Sequence, residues 1–515
     1  MPDASATATP EQSTKAPAEG GRLLLTISLM AATFMQALDT TIANVALPHM
    51  EGSLSATQDQ ITWILTSYIV AAAIMTPLTG WLAGRFGRKR VILISISGFV
   101  VASALCGIAT SLSQMVVYRL LQGLSGAALV PISQAVLLDT YPTNKHGQAM
   151  AMWGLGVTLA PVVGPVLGGW LTEDYSWRWV FYINVPIGIL AFFGLLTSVK
   201  DSPRVRRAFD FFGFGALSVG VGALQMMLDR GEIKDWFGST EVVLEGFLAA
   251  LGFYFFVVRM VTAKRPFLSL ALFKDRNFVT GNVFIFVVGI ILFATLVLIP
   301  PLFQQLMNYP VVTTGLIMAP RGVGTMLSMV LVGRVAGKID PRILIAFGFG
   351  LSALSLWQMM GFDLQMDRWP VIWSGLIQGF GVGFAYVSLT TVSFATLPQQ
   401  YRAEGTAFFN LMRNIGSSIG ISAVQALLTE NTQIMHSSLA QHISPFNSAL
   451  HNFNLHSTAA LAQLNGMVTS QAAMIAYNDD FKVMMILSLL TIPFLLFLRV
   501  RKPRPGEKPE MVAME

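Results

Sequence analysis

Charge is scarce in this chain. Only 12% of its 515 residues are Asp, Glu, Lys or Arg, against about 25% in soluble domains. Cysteine is scarcer still. Cys106 stands alone, which excludes a disulfide framework and any thiolate zinc site within one chain. Four of the 6 histidines, His436, His442, His451 and His456, share one stretch, but their spacing is irregular and unlike that of metal ligands, so no metal is expected. No Ser, Cys or carboxylate pair stands in a recognisable catalytic setting, so neither an enzyme nor a bound cofactor is expected. The formal charge is +6. The basic residues are nevertheless scattered through short loops between apolar runs, which argues against nucleic acid as a partner.

What fills the chain is apolar, at 54% hydrophobic residues. Runs of about 20 apolar residues recur to the end, the signature of a polytopic membrane protein. A polar tail, 1–22, precedes a first apolar segment that is too long for a cleaved signal peptide and reads as a retained span. The pattern predicts an all-α protein with spans at 23–47, 61–83, 91–110, 115–138, 149–170, 179–198, 212–228, 241–261, 278–302, 311–333, 342–361, 369–396, 404–428 and 481–500. Of the 33 Lys and Arg, 25 then fall in alternate loops and the two tails, and only Arg178, Arg230, Lys234, Arg368 and Lys482 on the other side. By the positive-inside rule both termini are expected in the cytoplasm.

Two stretches nearly repeat. Gly80-Trp-Leu-Ala-Gly84-Arg85 leaves the second span, and Gly333-Arg-Val-Ala-Gly337-Lys338 leaves the tenth; Gln122-Gly123 is echoed by Gln378-Gly379. A repeat of this kind divides a transporter into two bundles that rock around a midplane site. The expected organisation is a six-helix bundle over 23–198, an inserted two-helix hairpin with its loops over 199–277, a second six-helix bundle over 278–500, and a tail over 501–515. The second bundle carries a long outside loop, 430–480. Between Glu430 and Asp479 this loop has no Asp, Glu, Lys or Arg, a composition that suits packed amphipathic helices.

Asp39, Arg119, Arg321 and Arg413 fall inside spans. An intramembrane charge costs at least about 2.5 kcal/mol on insertion scales and normally faces a wet cavity or a partner. Asp39 shares a polar stripe with Gln36, Thr40 and Asn44 at helical spacing. Arg119 shares a face with Gln122 and lies at a depth similar to Asp39, so an ion pair between them is possible. Arg321, Gln378, and Arg413 beside Asn410 and Asn414 complete a candidate substrate pathway. In the fifth span, Pro161, Gly164, Pro165, Gly168 and Gly169 are denser than one helix contact needs and predict a bend that serves gating.

These residues resemble the fourteen-span drug:proton antiporter branch of the major facilitator superfamily over nearly the whole chain. The resemblance is carried by Leu38-Asp39 through Pro48, by the loop with Gly80, Gly84, Arg85, Gly87 and Arg88, by Arg119-Leu-Leu-Gln122-Gly123, by the glycine–proline run of the fifth span, and by Trp177 through Gly188. Leu224 through Phe237 in the hairpin, and Ser444-Pro-Phe-Asn447, are similar to the EmrB type. The resemblance implies the major facilitator fold and a multidrug exporter of the inner membrane, driven by the proton gradient. Its implied partners are hydrophobic or amphipathic drugs, protons, a periplasmic adaptor of EmrA type and an outer-membrane channel of TolC type. Asp39 and Arg119 would then couple protons to transport. One departure stands out: the superfamily usually has an acidic residue where this chain has Gly84, and Arg85 or Arg88 is expected to pair with Asp139 instead. A dedicated exporter of one metabolite or siderophore, an importer, and a non-transporting receptor or scaffold remain as alternatives.

Overall fold

The computed structural model describes residues 19–142, 145–201, 204, 208–336, 338–443 and 457–498. Most of the N-terminal tail, the C-terminal tail, Gly337, Ser444–Asn447, His451 and His456 therefore lie outside the described residues.

Fourteen long helices follow one another: α1 (Glu19–Ser53), α2 (Trp63–Met75 continued by Leu78–Phe86), α3 (Arg88–Ile108), α4 (Leu112–Gly126 continued by Leu129–Thr140), α5 (His146–Asp174), α6 (Trp179–Ser198), α7 (Phe211–Arg230), α8 (Thr240–Thr262), α9 (Arg276–Pro301), α10 (Val311–Val335), α11 (Pro341–Met359), α12 (Arg368–Ala395), α13 (Arg402–Ala440) and α14 (Thr458–Thr491). Helices satisfy their own backbone polar groups, which lipid cannot do. Their starts are written in the sequence. Asp210, Asp275, Asp340 and Asp367 accept from backbone N–H groups in the first turns of α7, α9, α11 and α12, as N-cap residues do.

Among the described residues twelve helices are long and apolar enough to cross a membrane, or thirteen with the two pieces of α2 as one span. The helix that falls short is α13. Its polar residues Glu404, Thr406 and Asn410 are buried against protein, so it need not be apolar all round.

α5 runs as one helix through Pro161 and Pro165. The sharp bend, 55°, lies in α2 between Met75 and Leu78, at Pro77, which has no N–H to continue the ladder. The glycines of α5 bring it close to α1. A Cβ on Gly168 would come 2.8 Å from Ile42 Cγ1 of α1, whereas Gly169 faces open space. Much of the stretch 430–480 is helical. α13 continues to Ala440 and α14 begins at Thr458, so the two spans extend as paired helices, joined by His436 Nε2 and Asn465 Oδ1 at 3.0 Å.

The end at which α2 finishes and α3 starts, rich in Lys and Arg, is here the basic end, and the opposite one the far end. One apolar core is continuous across both halves of the chain, from Ile92, Leu137 and Trp153 to Phe278, Val332 and Phe394. A second core, around Leu38, Ile42, Cys106 and Phe181, belongs to the first half alone. The hairpin helices pack on each other, with a Gly220 Cβ position 3.0 Å from Phe253 N. α7 also touches both halves. Thr66 of α2 donates to Asp229, Ser418 of α13 to Gln225 Oε1 at 2.7 Å, and Ser422 of α13 to the Leu228 carbonyl at 2.8 Å.

Candidate functional site

Asp39, Arg119, Gln122 and Asn184 meet inside the first bundle, each fully buried. Asp39 Oδ2 lies 2.6 Å from Arg119 Nη1. Its Oδ1 accepts from Gln122 Nε2 at 2.8 Å and from Asn184 Nδ2 at 2.9 Å. Arg119 Nη1 also donates to Gln122 Oε1 at 2.8 Å, and its Nε to the Ile64 carbonyl of α2 at 3.1 Å. The guanidinium sits 4.3 Å from the Tyr68 ring centroid, a cation–π contact. Ser103 supports the set from α3: it receives Asn184 Nδ2 at 3.0 Å and donates to the Phe181 carbonyl at 2.8 Å. A buried charge of either sign is tolerated only when paired and hydrogen-bonded. Here five helices supply the partners, so removing the charge of one carboxyl disturbs all of them.

The polar stripe expected on α1 is only partly assembled. Gln36 Nε2 reaches Tyr68 Oη at 3.3 Å, at the edge of the cluster. Thr40 turns back to its own helix, donating to the Ala37 carbonyl at 2.7 Å, and Asn44 is exposed. Neither touches Asp39, because a 3.6-residue period carries the later positions off its face.

In the second half the candidates separate. Gln378 Nε2 donates to Thr295 Oγ1 at 3.1 Å. Arg321 is buried, with Nη2 on the Leu292 carbonyl at 2.9 Å and Nη1 without a partner among the described residues. Asn410 and Arg413 join a polar knot between the halves. Asn410 Nδ2 donates to Gln134 Oε1 of α4 at 2.7 Å, Gln134 Nε2 to Tyr386 Oη of α12 at 3.1 Å, and Arg413 Nη1 reaches the same Tyr386 oxygen at 3.4 Å. Asn414 Oδ1 is 3.5 Å from Arg413 Nη2.

At the basic end Arg88 pairs with Asp139, and Arg85 is exposed. Arg402 of α13 reaches the other Asp139 oxygen at 2.9 Å, so one carboxylate holds an arginine from each half. Gly80 lets α13 come close: its Cβ would stand 2.7 Å from the Glu404 Cα. Gly84, by contrast, faces open space, and Gly87 takes φ 89° at the turn into α3, a conformation that costs glycine least.

Ser103, Tyr68, Gln134 and Tyr386 were not among the residues singled out from sequence; Asn184 stood there only as part of the Trp177–Gly188 stretch, and Arg402 only as a basic loop residue. The available signal was weak: single polar residues in otherwise apolar spans.

The sequence profile of the Major Facilitator Superfamily matches residues 29–421. The chain is similar to the multidrug export protein EmrB of Haemophilus influenzae, 38% identical over 90% of this chain and 93% of that one. It is also similar to the fatty acid resistance protein FarB of Neisseria gonorrhoeae, 37% identical over 93% and 96%. Among solved structures, the human organic anion transporter MFSD10 matches with a TM-score of 0.59 at 14% identity, covering 92% of this chain and all of that one.

Proposed function

The chain belongs to the major facilitator superfamily, a transporter rather than an enzyme, and on that premise we propose that it is a proton-coupled multidrug exporter of a bacterial inner membrane. Relatives named for multidrug export, alike over nine-tenths of the chain, support the substrate class. The observation that carries the coupling is Asp39, one carboxylate in the first bundle held by Arg119, Gln122 and Asn184. Protonating Asp39 removes the charge that holds Arg119, and the freed guanidinium favours another arrangement of α1, α2 and α4. With both termini in the cytoplasm, as the Lys and Arg distribution favours, the Arg88–Asp139–Arg402 contact closes the cytoplasmic end. A change to a state open at that end must break that contact. The two six-helix bundles are the moving bodies in this reading.

The paired extensions of α13 and α14 form an arm beyond the far end. Ile434, Leu461 and Met467 are exposed on it, and a surface depleted in charge suits an interface core. In this reading the arm docks a periplasmic adaptor of EmrA type, which links the pump to an outer-membrane channel of TolC type. The test is proton movement when hydrophobic or amphipathic drugs are added to liposomes holding the purified chain. Drug-driven proton release is expected; drug transport indifferent to a pH gradient would defeat the coupling. Cysteine crosslinks from the arm should capture the adaptor in cells.

A further inference from the structure

A second carboxyl is buried in the opposite half, without the partners that surround Asp39. Asp480 of α14 is fully buried, and among the described residues neither of its oxygens has a hydrogen-bond donor. It occupies the seam by which α14 packs on α9, α11 and α13, in line with the buried Tyr477, Phe481 and Met484. The seam is closed over it. Phe481 meets Phe362 edge-on at 5.9 Å, and Asn478 Nδ2 ties α14 to the Phe362 carbonyl at 3.1 Å. One helical turn away, about 6 Å along the axis, Met484 Sδ lies 4.0 Å from Thr295 Oγ1, the acceptor of Gln378.

Among the described residues nothing in that seam neutralises a negative charge. α9 has no titratable residue from Asn277 to Pro301, α11 none from Ile343 to Met359, and α13 none from Asn414 to Thr429. The nearest ionisable groups by position are Asp479, which is half-buried and of the same sign, and Tyr477. Lys482, Glu430 and Asp363 are exposed. An unpaired carboxylate in such a place costs several kcal/mol or more, whereas the neutral acid costs only what an unbonded hydroxyl does.

We propose that Asp480 is a second proton-binding site, neutral in this conformation and emptied when a movement within the second bundle, additional to the rocking of the two bundles, parts α14 from α11 and α13 during transport. This rests on the proton-coupled reading above and adds a site in the other half to it. The proton is taken from water on one side of the membrane and released to water on the other, with no other bond made or broken.

Two measurements decide it. The first is independent of transport: infrared difference spectra of the purified full-length chain in lipid, recorded at neutral and alkaline pH. A carboxylic-acid C=O band should be present at neutral pH, persist in Asp39→Asn and disappear in Asp480→Asn. Should Asp480→Asn fail to fold, Asp480→Glu must shift that band. A spectrum unchanged by either substitution overturns the proposal. The second is the reversal potential of drug–proton exchange in liposomes. Asp480→Asn should move fewer protons per drug than the wild type while drug–drug exchange continues. An unchanged ratio overturns the proposal and leaves the Asp39 reading intact, whereas loss of proton coupling in the wild type itself would defeat that reading.

Discussion

Gln122 and Gln378 hold matching places in the two halves. Each precedes a glycine in the fourth helix of its bundle, and each donates to the first helix of that bundle: to Asp39 Oδ1 at 2.8 Å in one, to Thr295 Oγ1 at 3.1 Å in the other. The surroundings differ in charge. Three residues before the glutamine stands Arg119 in α4 and Gly375 in α12. The first bundle therefore holds a closed ion pair with amides on both sides. In the second the amide–hydroxyl contact remains, and the charges are dispersed to Arg321 on α10, Arg413 on α13 and Asp480 on α14, with no ion pair to any of them among the described residues. A paired charge sets the bundle's conformation by its protonation, because both partners must respond together. Dispersed, unpaired groups leave the second bundle free to present them singly.

The largest effect should come from Asp39→Asn. Asparagine keeps the shape and can still accept at its Oδ1 position, but it cannot cycle a proton. Drug-driven proton movement in liposomes should fall to background, while the variant stays folded and inserted. Full activity in this variant would mean that the first bundle's ion pair is structural only, and the contrast between the halves would lose its functional content.

Energetic coupling comes next. Removing one member of a buried ion pair leaves the other uncompensated, at about 3–5 kcal/mol. Arg119→Met should accordingly lower the unfolding midpoint sharply, and adding Asp39→Asn should recover part of the loss. Strictly additive losses in the cycle would show that the 2.6 Å contact carries no net interaction.

The two glutamines give a smaller and more direct comparison. Gln122→Leu strips a donor from Asp39 and an acceptor from Arg119, both charged, at about 2–3 kcal/mol. Gln378→Leu should cost about 1 kcal/mol, because Thr295 also donates to its own helix, to the Ile291 carbonyl at 2.6 Å, and is not left orphaned. Equal shifts in thermal stability would erase the distinction between the two sites.

How much of this was legible beforehand follows the same division. The fourteen helices were readable because apolar length is a local property, and Asp39 and Arg119 because a charge inside an apolar run is conspicuous. Asn184, Ser103 and Tyr68 were not, since a neutral polar residue in a span becomes a ligand only through the packing of distant helices. For Asn44 the same limit holds: helical spacing gives a face but not what the face meets. The break in α2 was missed because Pro77 is a single proline, whereas α5 has two and stays whole. Arg402 lies in a loop-end position whose partner, Asp139, is 263 residues away, beyond the reach of any local pattern.

The smallest expected effect, and the one with a contrary sign, concerns Arg321. Arg119 donates to a carboxylate, an amide and a carbonyl; among the described residues Arg321 donates to one carbonyl, that of Leu292, and its Nη1 is buried without a partner. Methionine in place of Arg321 leaves no charge uncompensated. It strands no obligate acceptor either, because a carbonyl inside α9 keeps its helical hydrogen bond. The aliphatic stem is replaced by one of similar length, and the desolvation cost of an isolated guanidinium disappears. Arg321→Met should therefore leave the unfolding midpoint unchanged or raise it, where Arg119→Met lowers it. The same variant should narrow the range of drugs exported if Arg321 faces the substrate, measured as resistance to acidic against neutral compounds. A loss of stability as large as that of Arg119→Met would mean that Arg321 has an anionic partner in the resting protein, and the contrast between a paired and a dispersed half would fail at its most exposed point.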